Sequence, residues 1–260
     1  MEKSPNGAKG VPISIEETQV DLEKIFNGKI IDITAPISPL TRIFPGDPVT
    51  AIERICTLED EGCAVSRLSF GSHTSTHVDA PSHILENGLT VDKLELKNLM
   101  GKALVLDFSS VAGALTAEIF EKAFSNTVSP ENIPVLLLKT GNSSRKQISE
   151  VEVNLHNAES GSQDAESWKE KFGSAYLDES GAAWIVENGF RTIGTDSFSV
   201  DCLSAEILPA HHILLSGNVN IVECLELSFV EAGIYFFLCL PLKIENCDGA
   251  PARAILLPYF

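Results

Sequence analysis

A chain of 260 residues, 44% of them hydrophobic, is long enough for one large domain or two small ones and apolar enough to bury a core, which excludes wholesale disorder. Nineteen Lys and Arg against 36 Asp and Glu leave a formal charge of −17, which excludes nucleic acid as a partner and repels anionic membrane surfaces. The six cysteines form no C-x-x-C pair, no apolar segment of signal-peptide type opens the chain, and no run reaches the roughly 18 apolar residues of a membrane span. A soluble, cytoplasmic protein with reduced cysteines is expected.

In chain order, residues 1–28 form a loose N-terminal segment in which 15–26 has irregular helical spacing. Residues 29–34, Lys-Ile-Ile-Asp-Ile-Thr, read as a strand that runs into a proline-fixed loop ending Phe44-Pro45-Gly46-Asp47-Pro48. Strands are predicted at 49–56 and 64–70, with a turn at 59–62. A short helix is predicted at 91–98, a buried strand at 103–108, an amphipathic helix at 116–124 capped by Thr116, and an apolar strand at 134–139. This strand–helix–strand rhythm suggests parallel pairing and a layered α/β core. Residues 141–167 turn polar and are expected to form a long surface loop or a disordered insertion. A helix at 180–188 and strands at 192–195, 221–223, 234–240 and 252–258 complete the chain. No internal repeat and no clean domain boundary occur.

Gly71 to His83 is the chemically loaded stretch. Three of the six histidines, His73, His77 and His83, fall here with Asp79 between them. Imidazole with carboxylate is the ligand set of a borderline divalent ion. The β-branched residues, the serines and Pro81 disfavour a helix. In an extended chain the odd positions 73, 77, 79 and 83 share one face, yet at about 3.3 Å per residue His73 and His77 are roughly 13 Å apart. One ion cannot span that distance, so a curved strand end or a loop is expected. The bland alternative is a polar turn with solvated histidines. A second cluster, His211 and His212 with Glu223, argues for a site closed from separate elements. A metal so held makes hydroxide available at neutral pH, and His83 suits a general acid/base.

Other chemistries find less support. No G-x-S-x-G elbow, G-x-G-x-x-G turn or P-loop occurs, and the acidic stretch lacks EF-hand spacing. Cys224, beside Glu223, reads as packing. Phe44, on its rigid loop, is a candidate for stacking against an aromatic substrate, with core filler as the alternative.

His73-Thr-Ser-Thr-His77-Val-Asp79-Ala-Pro81-Ser-His83 closely resembles the H-x-G-T-H-x-D-x-P-x-H signature of the cyclase-like metal hydrolases, a superfamily that includes bacterial-type kynurenine formamidase, isatin hydrolase and plant homologues. Residues 31–34, 44–48 and 194–199, and His211 and Glu223, resemble further segments of that family, so the likeness spans about residues 29–257. It implies a single domain from 29 to 260 with a swivelling β/β/α-type fold on a mixed sheet, one or two divalent ions (Zn or Mn), and a homodimer or higher homo-oligomer. It implies that His73, His77 and Asp79 bind a first ion, that Asp79, His211 and Glu223 bind a second, and that His83 is the acid/base. The implied activity is hydrolysis of a C–N bond in a small aryl formamide or cyclic amide. The competing reading is an inactive metal-binding relative with a regulatory or scaffolding role. Two features depart from the family: Ser75 stands where the signature has Gly, and the insertion at 141–167 is long.

Overall fold

The computed structural model describes residues 29–44, 46–125, 133–143, 175–205 and 207–258. The helix expected at 15–26 and residues 144–167 of the polar insertion lie outside them.

The first strand, β1 (Ile31–Asp32), is short, and Thr34 adds an isolated bridge to Leu225. Strands β2 (Ala51–Cys56) and β3 (Val65–Ser69) pair as an antiparallel hairpin. The turn expected between them is a single helical turn, Leu58–Glu61, capped by Thr57 and ended by Gly62 in the left-handed conformation that glycine adopts without steric cost. Strand β4 (His77–Asp79) lies inside the loaded motif. The helix expected at 91–98 is instead two 3₁₀ turns, Val91–Lys93 and Leu96–Asn98, because Leu94 between them is extended (ψ 140°) and breaks the repeat.

Next come β5 (Met100–Asp107), β6 (Ala114–Leu115), helix α1 (Ala117–Ser125), β7 (Val135–Lys139) and β8 (Tyr176–Leu177). Helix α2 (Glu179–Glu187) has Asp178 as its cap, accepting from the Gly181 N–H. Strand β9 (Thr192–Thr195), helix α3 (Pro209–Ser216), β10 (Asn220–Glu223), β11 (Gly233–Pro241) and β12 (Gly249–Pro258) follow.

The order β1-β12-β11-β5-β7-β9-β10-β4, with a further pairing of β12 to β4, closes the sheet into a barrel. Strands β5, β7, β9 and β10 are parallel, as the strand–helix–strand rhythm implied, and the other pairings of this sheet are antiparallel. Closure depends on the ten residues of β12, which meet β4 at Gly249–Pro251 and β11 from Ala252 onward. The result is one α/β domain on a mixed sheet, as expected.

Strand β7 is buried on both faces, and its alternation separates two cores. Val135 and Leu137 point into the barrel with Val78, Val105, Val222, Phe237 and Ala254. Leu136 and Leu138 point outward, against α1, α2 and α3, with Phe120, Trp184, Ile193, Leu214 and Ile221. Gly194 on β9 leaves room inside, since a Cβ there would lie 2.5 Å from Leu137 Cδ2.

The start of the polar insertion departs from the surface loop expected of it. Asn142 and Ser143 are fully buried, and the Thr140 and Ser143 hydroxyls donate to opposite oxygens of buried Asp196, at 2.5 and 2.8 Å. Ser143 Oγ also accepts from the Leu227 N–H. A polar side chain such as that of Ser143 is stable in the interior once its hydrogen bonds are met, and composition alone cannot show that they are. The Asn142 side-chain amide, by contrast, is buried with no hydrogen-bond partner among the described residues.

Candidate metal centre

Strand β4 runs between β10 and β12, so that His77 lies opposite Glu223 on one side and Pro251 on the other. Residues directly opposite one another share a face of the sheet, as do residues two apart in one strand. His77, Asp79 and Glu223 therefore project together. Val78 and Val222 fill the barrel interior, so the three face outward, towards α3.

His73 reaches the same place because the chain turns back at Ser75, whose φ is 60°. The bend brings the His73 and His77 ring centroids to 5.0 Å, which removes the 13 Å problem of a straight strand. The Ser75 carbonyl accepts from His77 Nδ1 at 2.8 Å and leaves Nε2 facing the carboxylates. His83 sits on the 3₁₀ turn Pro81–His83 that follows β4, its ring 4.1 Å from that of His73 and 5.8 Å from that of His211.

Helix α3 delivers His211. Asp201 accepts from the Ala210 and His211 backbone N–H groups and lies 2.6 Å from His211 Nδ1, which turns Nε2 towards Asp79 Oδ2 and Glu223 Oε1, both at 3.4 Å. Glu223 Oε1 also accepts from the Val200 N–H, and its Oε2 lies 3.6 Å from His77 Nε2. The neighbouring His212 is exposed and takes no part.

Three histidine–carboxylate groups have their candidate ligating atoms within 4.8 Å of one another among the described residues. Two of them, His73–His77–Asp79 and Asp79–His211–Glu223, share Asp79, and the third is His73–His83–Asp248. Buried polar atoms are normally hydrogen-bonded. Here His77 Nε2 and Asp79 Oδ2 are buried and make no hydrogen bond of good geometry among the described residues, although His77 Nε2 lies 3.2 Å from Asp79 Oδ1 and Asp79 Oδ2 lies 3.4 Å from His211 Nε2. Imidazole nitrogens and carboxylate oxygens at this spacing fit a borderline divalent cation, which would satisfy both atoms.

The "Putative cyclase" family model matches residues 31–202. Kynurenine formamidase of Bacillus cytotoxicus is 30% identical over 231 residues, which cover 88% of this chain and 97% of that protein. The chain belongs to the cyclase family. A solved structure described as a potential metal-dependent hydrolase with cyclase activity is 27% identical and superposes with a TM-score of 0.67 over 89% of this chain and 98% of its own. An isatin hydrolase bound to the product analogue thioisatinate has the same fold, with a TM-score of 0.73 at 20% identity over 92% of this chain and 96% of its own.

The charge balance of this cyclase-family centre follows from its four carboxylates. Burial alone would depress His73, but its bonds to Asp79 and Asp248 override that and raise it to about 9. His77 and His211 are also raised against their burial, by Asp79 and Glu223 and, for His211, by Asp201 first. Asp79 is held well below the usual carboxylate range despite its burial, by His77, His211 and His73. His83 behaves differently. Burial pushes it below 6.5, assisted by the positive rings of His73 and His211, so it is neutral at pH 7 and able to accept a proton.

Of the polar residues singled out in the sequence, His73, His77, Asp79, His83, His211 and Glu223 thus converge, and His212 does not. Phe44 lies 44% exposed on its loop, with its carbonyl accepting from the N–H of Asp47. Asp47 is close enough for its carboxylate to feel His73, His77 and His83. Sequence reasoning missed Asp201 and Asp248. No local spacing marks either one, and both face their histidines only through the fold.

Proposed function

We propose that this cyclase-family chain is a metal-dependent hydrolase that cleaves the C–N bond of a small aryl formamide or cyclic amide, with N-formylkynurenine as the first substrate to test. The observation that carries this reading is the pair of orphaned buried atoms, His77 Nε2 and Asp79 Oδ2, between two histidine–carboxylate sets. The kynurenine formamidase that matches almost end to end supplies the substrate class.

His73, His77 and Asp79 would hold one divalent ion, zinc or manganese, and Asp79, His211 and Glu223 a second. Such an ion supplies Lewis acidity, which polarises a carbonyl and acidifies water. The protein's own groups supply the proton traffic. His83, neutral and half-buried at the rim, takes a proton from the attacking water and returns it to the departing amine nitrogen. Asp201 and the Ser75 carbonyl keep the His211 and His77 rings from rotating. Phe44 would stack on the aromatic part of the substrate.

A cytoplasmic homodimer completes the proposal. No helix among the described residues is long and apolar enough to cross a membrane. The β2–β3 hairpin exposes Ile52, Ile55, Val65 and Leu68, and a two-stranded hairpin is marginal unless something packs on it.

The test is turnover of N-formylkynurenine, isatin and simple aryl esters by protein stripped of metal and reloaded with zinc or manganese. Hydrolysis of the formamide that disappears on chelation supports the reading. Full metal occupancy with no turnover of any of the three would assign the chain to the inactive relatives.

A further inference from the structure

His73, His77 and His211 each have one nitrogen turned to Asp79 or Glu223 and the other backed by an acceptor. For His77 the backing acceptor is the Ser75 carbonyl and for His211 it is Asp201, and in both cases it holds Nδ1. His73 is reversed. Its Nδ1 lies 2.8 Å from Asp79 Oδ1, the carboxylate common to both ligand sets, and its Nε2 lies 2.9 Å from Asp248 Oδ2.

We propose that Asp248 is a positioning residue that accepts the Nε2–H of His73 and so commits Nδ1 of that ring to the metal. The inference rests on the metal-dependent reading above. A neutral imidazole has one N–H and one lone pair, so the partner that takes the N–H decides which nitrogen ligates.

The carboxylate is itself held in place for the task. Ser72 Oγ donates to Oδ2 at 3.2 Å, and Cys247 Sγ donates to Oδ1 at 3.3 Å. The Asp248 carbonyl accepts from the Ala80 N–H, and the next residue, Gly249, pairs with Asp79 where β12 meets β4. The same pairing that closes the barrel therefore sets the distance between Asp248 and His73. Gly249 makes room for the ring, since a Cβ there would stand 3.0 Å from His73 Cε1. The Asp248 side chain is 45% exposed and lies on the far side of the ring from Asp79, a position suited to orienting His73 from outside. Its Oδ2 also lies 3.9 Å from His83 Nδ1, so one carboxylate touches the ring beside the metal and approaches the acid/base.

The rival assignment makes Asp248 a ligand in a cation site with His73 and His83, whose ligating atoms also lie within 4.8 Å of one another. Zinc-loaded protein carrying ¹⁵N-histidine separates the two through long-range imidazole ¹H–¹⁵N correlations, read beside zinc stoichiometry and affinity. The expected spectrum shows His73 protonated at Nε2 and metallated at Nδ1. Asp248→Asn, whose amide oxygen still accepts, should keep that pattern and zinc affinity within a few fold of the parent. Asp248→Ala should keep the zinc count and lose affinity by about 10- to 100-fold, as removal of a ligand's orienting partner does elsewhere. Metallation of His73 at Nε2, or loss of one zinc equivalent in either variant, overturns the proposal. Failure of the parent protein to take up any divalent ion would remove the metal-dependent reading and this inference with it, a result readily told from the others.

Discussion

Ser75 Oγ donates to the Ala35 carbonyl at 2.8 Å while its own backbone sits at φ 60°, in the left-handed region that favours glycine. The residue that departs from the family signature therefore bends the chain between His73 and His77 and ties the bend to the loop that follows β1. Left-handed backbone costs a non-glycine residue roughly 1–2 kcal/mol, and a buried hydrogen bond returns about 1 kcal/mol. Ser75→Gly exchanges one for the other and should unfold within about 1 kcal/mol of the parent. Ser75→Ala keeps the backbone cost, loses the bond and should be less stable by about 1 kcal/mol. Ser75→Val, β-branched at a positive φ, should be the worst of the three. Denaturant melts of the set check this, and an Ala variant as stable as the parent would show that the hydroxyl contributes nothing.

His77→Ala or Asp79→Ala should remove most of the bound metal and abolish activity, because His77 lies opposite Glu223 and Asp79 is common to both ligand sets. His83→Ala should retain metal and lose rate by a factor on the order of 10² to 10⁴, the usual worth of a general acid/base. Elemental analysis beside steady-state rates distinguishes them. If metal content falls in step with activity in the His83 variant, His83 is a ligand.

Metal-free protein should lose stability as the pH rises from about 6.5 to 9. His73 is raised in the folded protein from the ordinary 6.5 to about 9, and His77 and His211 are raised in the same direction. A group raised on folding contributes stability that is complete below its unfolded pKa and is lost as pH climbs through the folded value. A cation bound at the same nitrogens displaces those protons, so metal-loaded protein should show a much flatter profile across that window and should bind its metal more weakly as pH falls. Calorimetric Tm values across the range, with and without metal, test both statements. A metal-free Tm that stays level or rises between pH 6.5 and 9 would contradict the charge balance described for the centre.

Two deletions of the polar insertion should behave differently. Removing 142–167 takes away Ser143, which donates to Asp196 and accepts from the Leu227 N–H, and leaves those buried groups without partners. A variant lacking only 146–167, rejoined by a short Gly/Ser linker, keeps Thr140, Ser143 and Asp196, and the length of a connection alters closure entropy little. The shorter deletion should melt cooperatively near the parent, and the longer one well below it. Equal melting temperatures would mean that the Ser143–Asp196 contact adds little.

Local chemistry determined a good part of this protein. The apolar runs of β5 and β7 and the helix α2 lie close to where the sequence pattern put them, because that signal acts over a few residues. The ligand types were legible for the same reason: His73, His77, Asp79 and His83 are within eleven residues of one another. The site itself was decided by tertiary structure. Period-two alternation says that His77 and Asp79 share a face, but only the β4–β10 register sets Glu223 opposite His77. Composition marked the start of the insertion as surface, yet Ser143 is buried with its hydroxyl on Asp196. Asp201 and Asp248 carry no local signal at all, since each meets its histidine only after α3 has docked or β12 has closed the barrel. Propensity and patterning are properties of neighbours in the chain, whereas sheet register and barrel closure are set by packing between residues far apart in sequence.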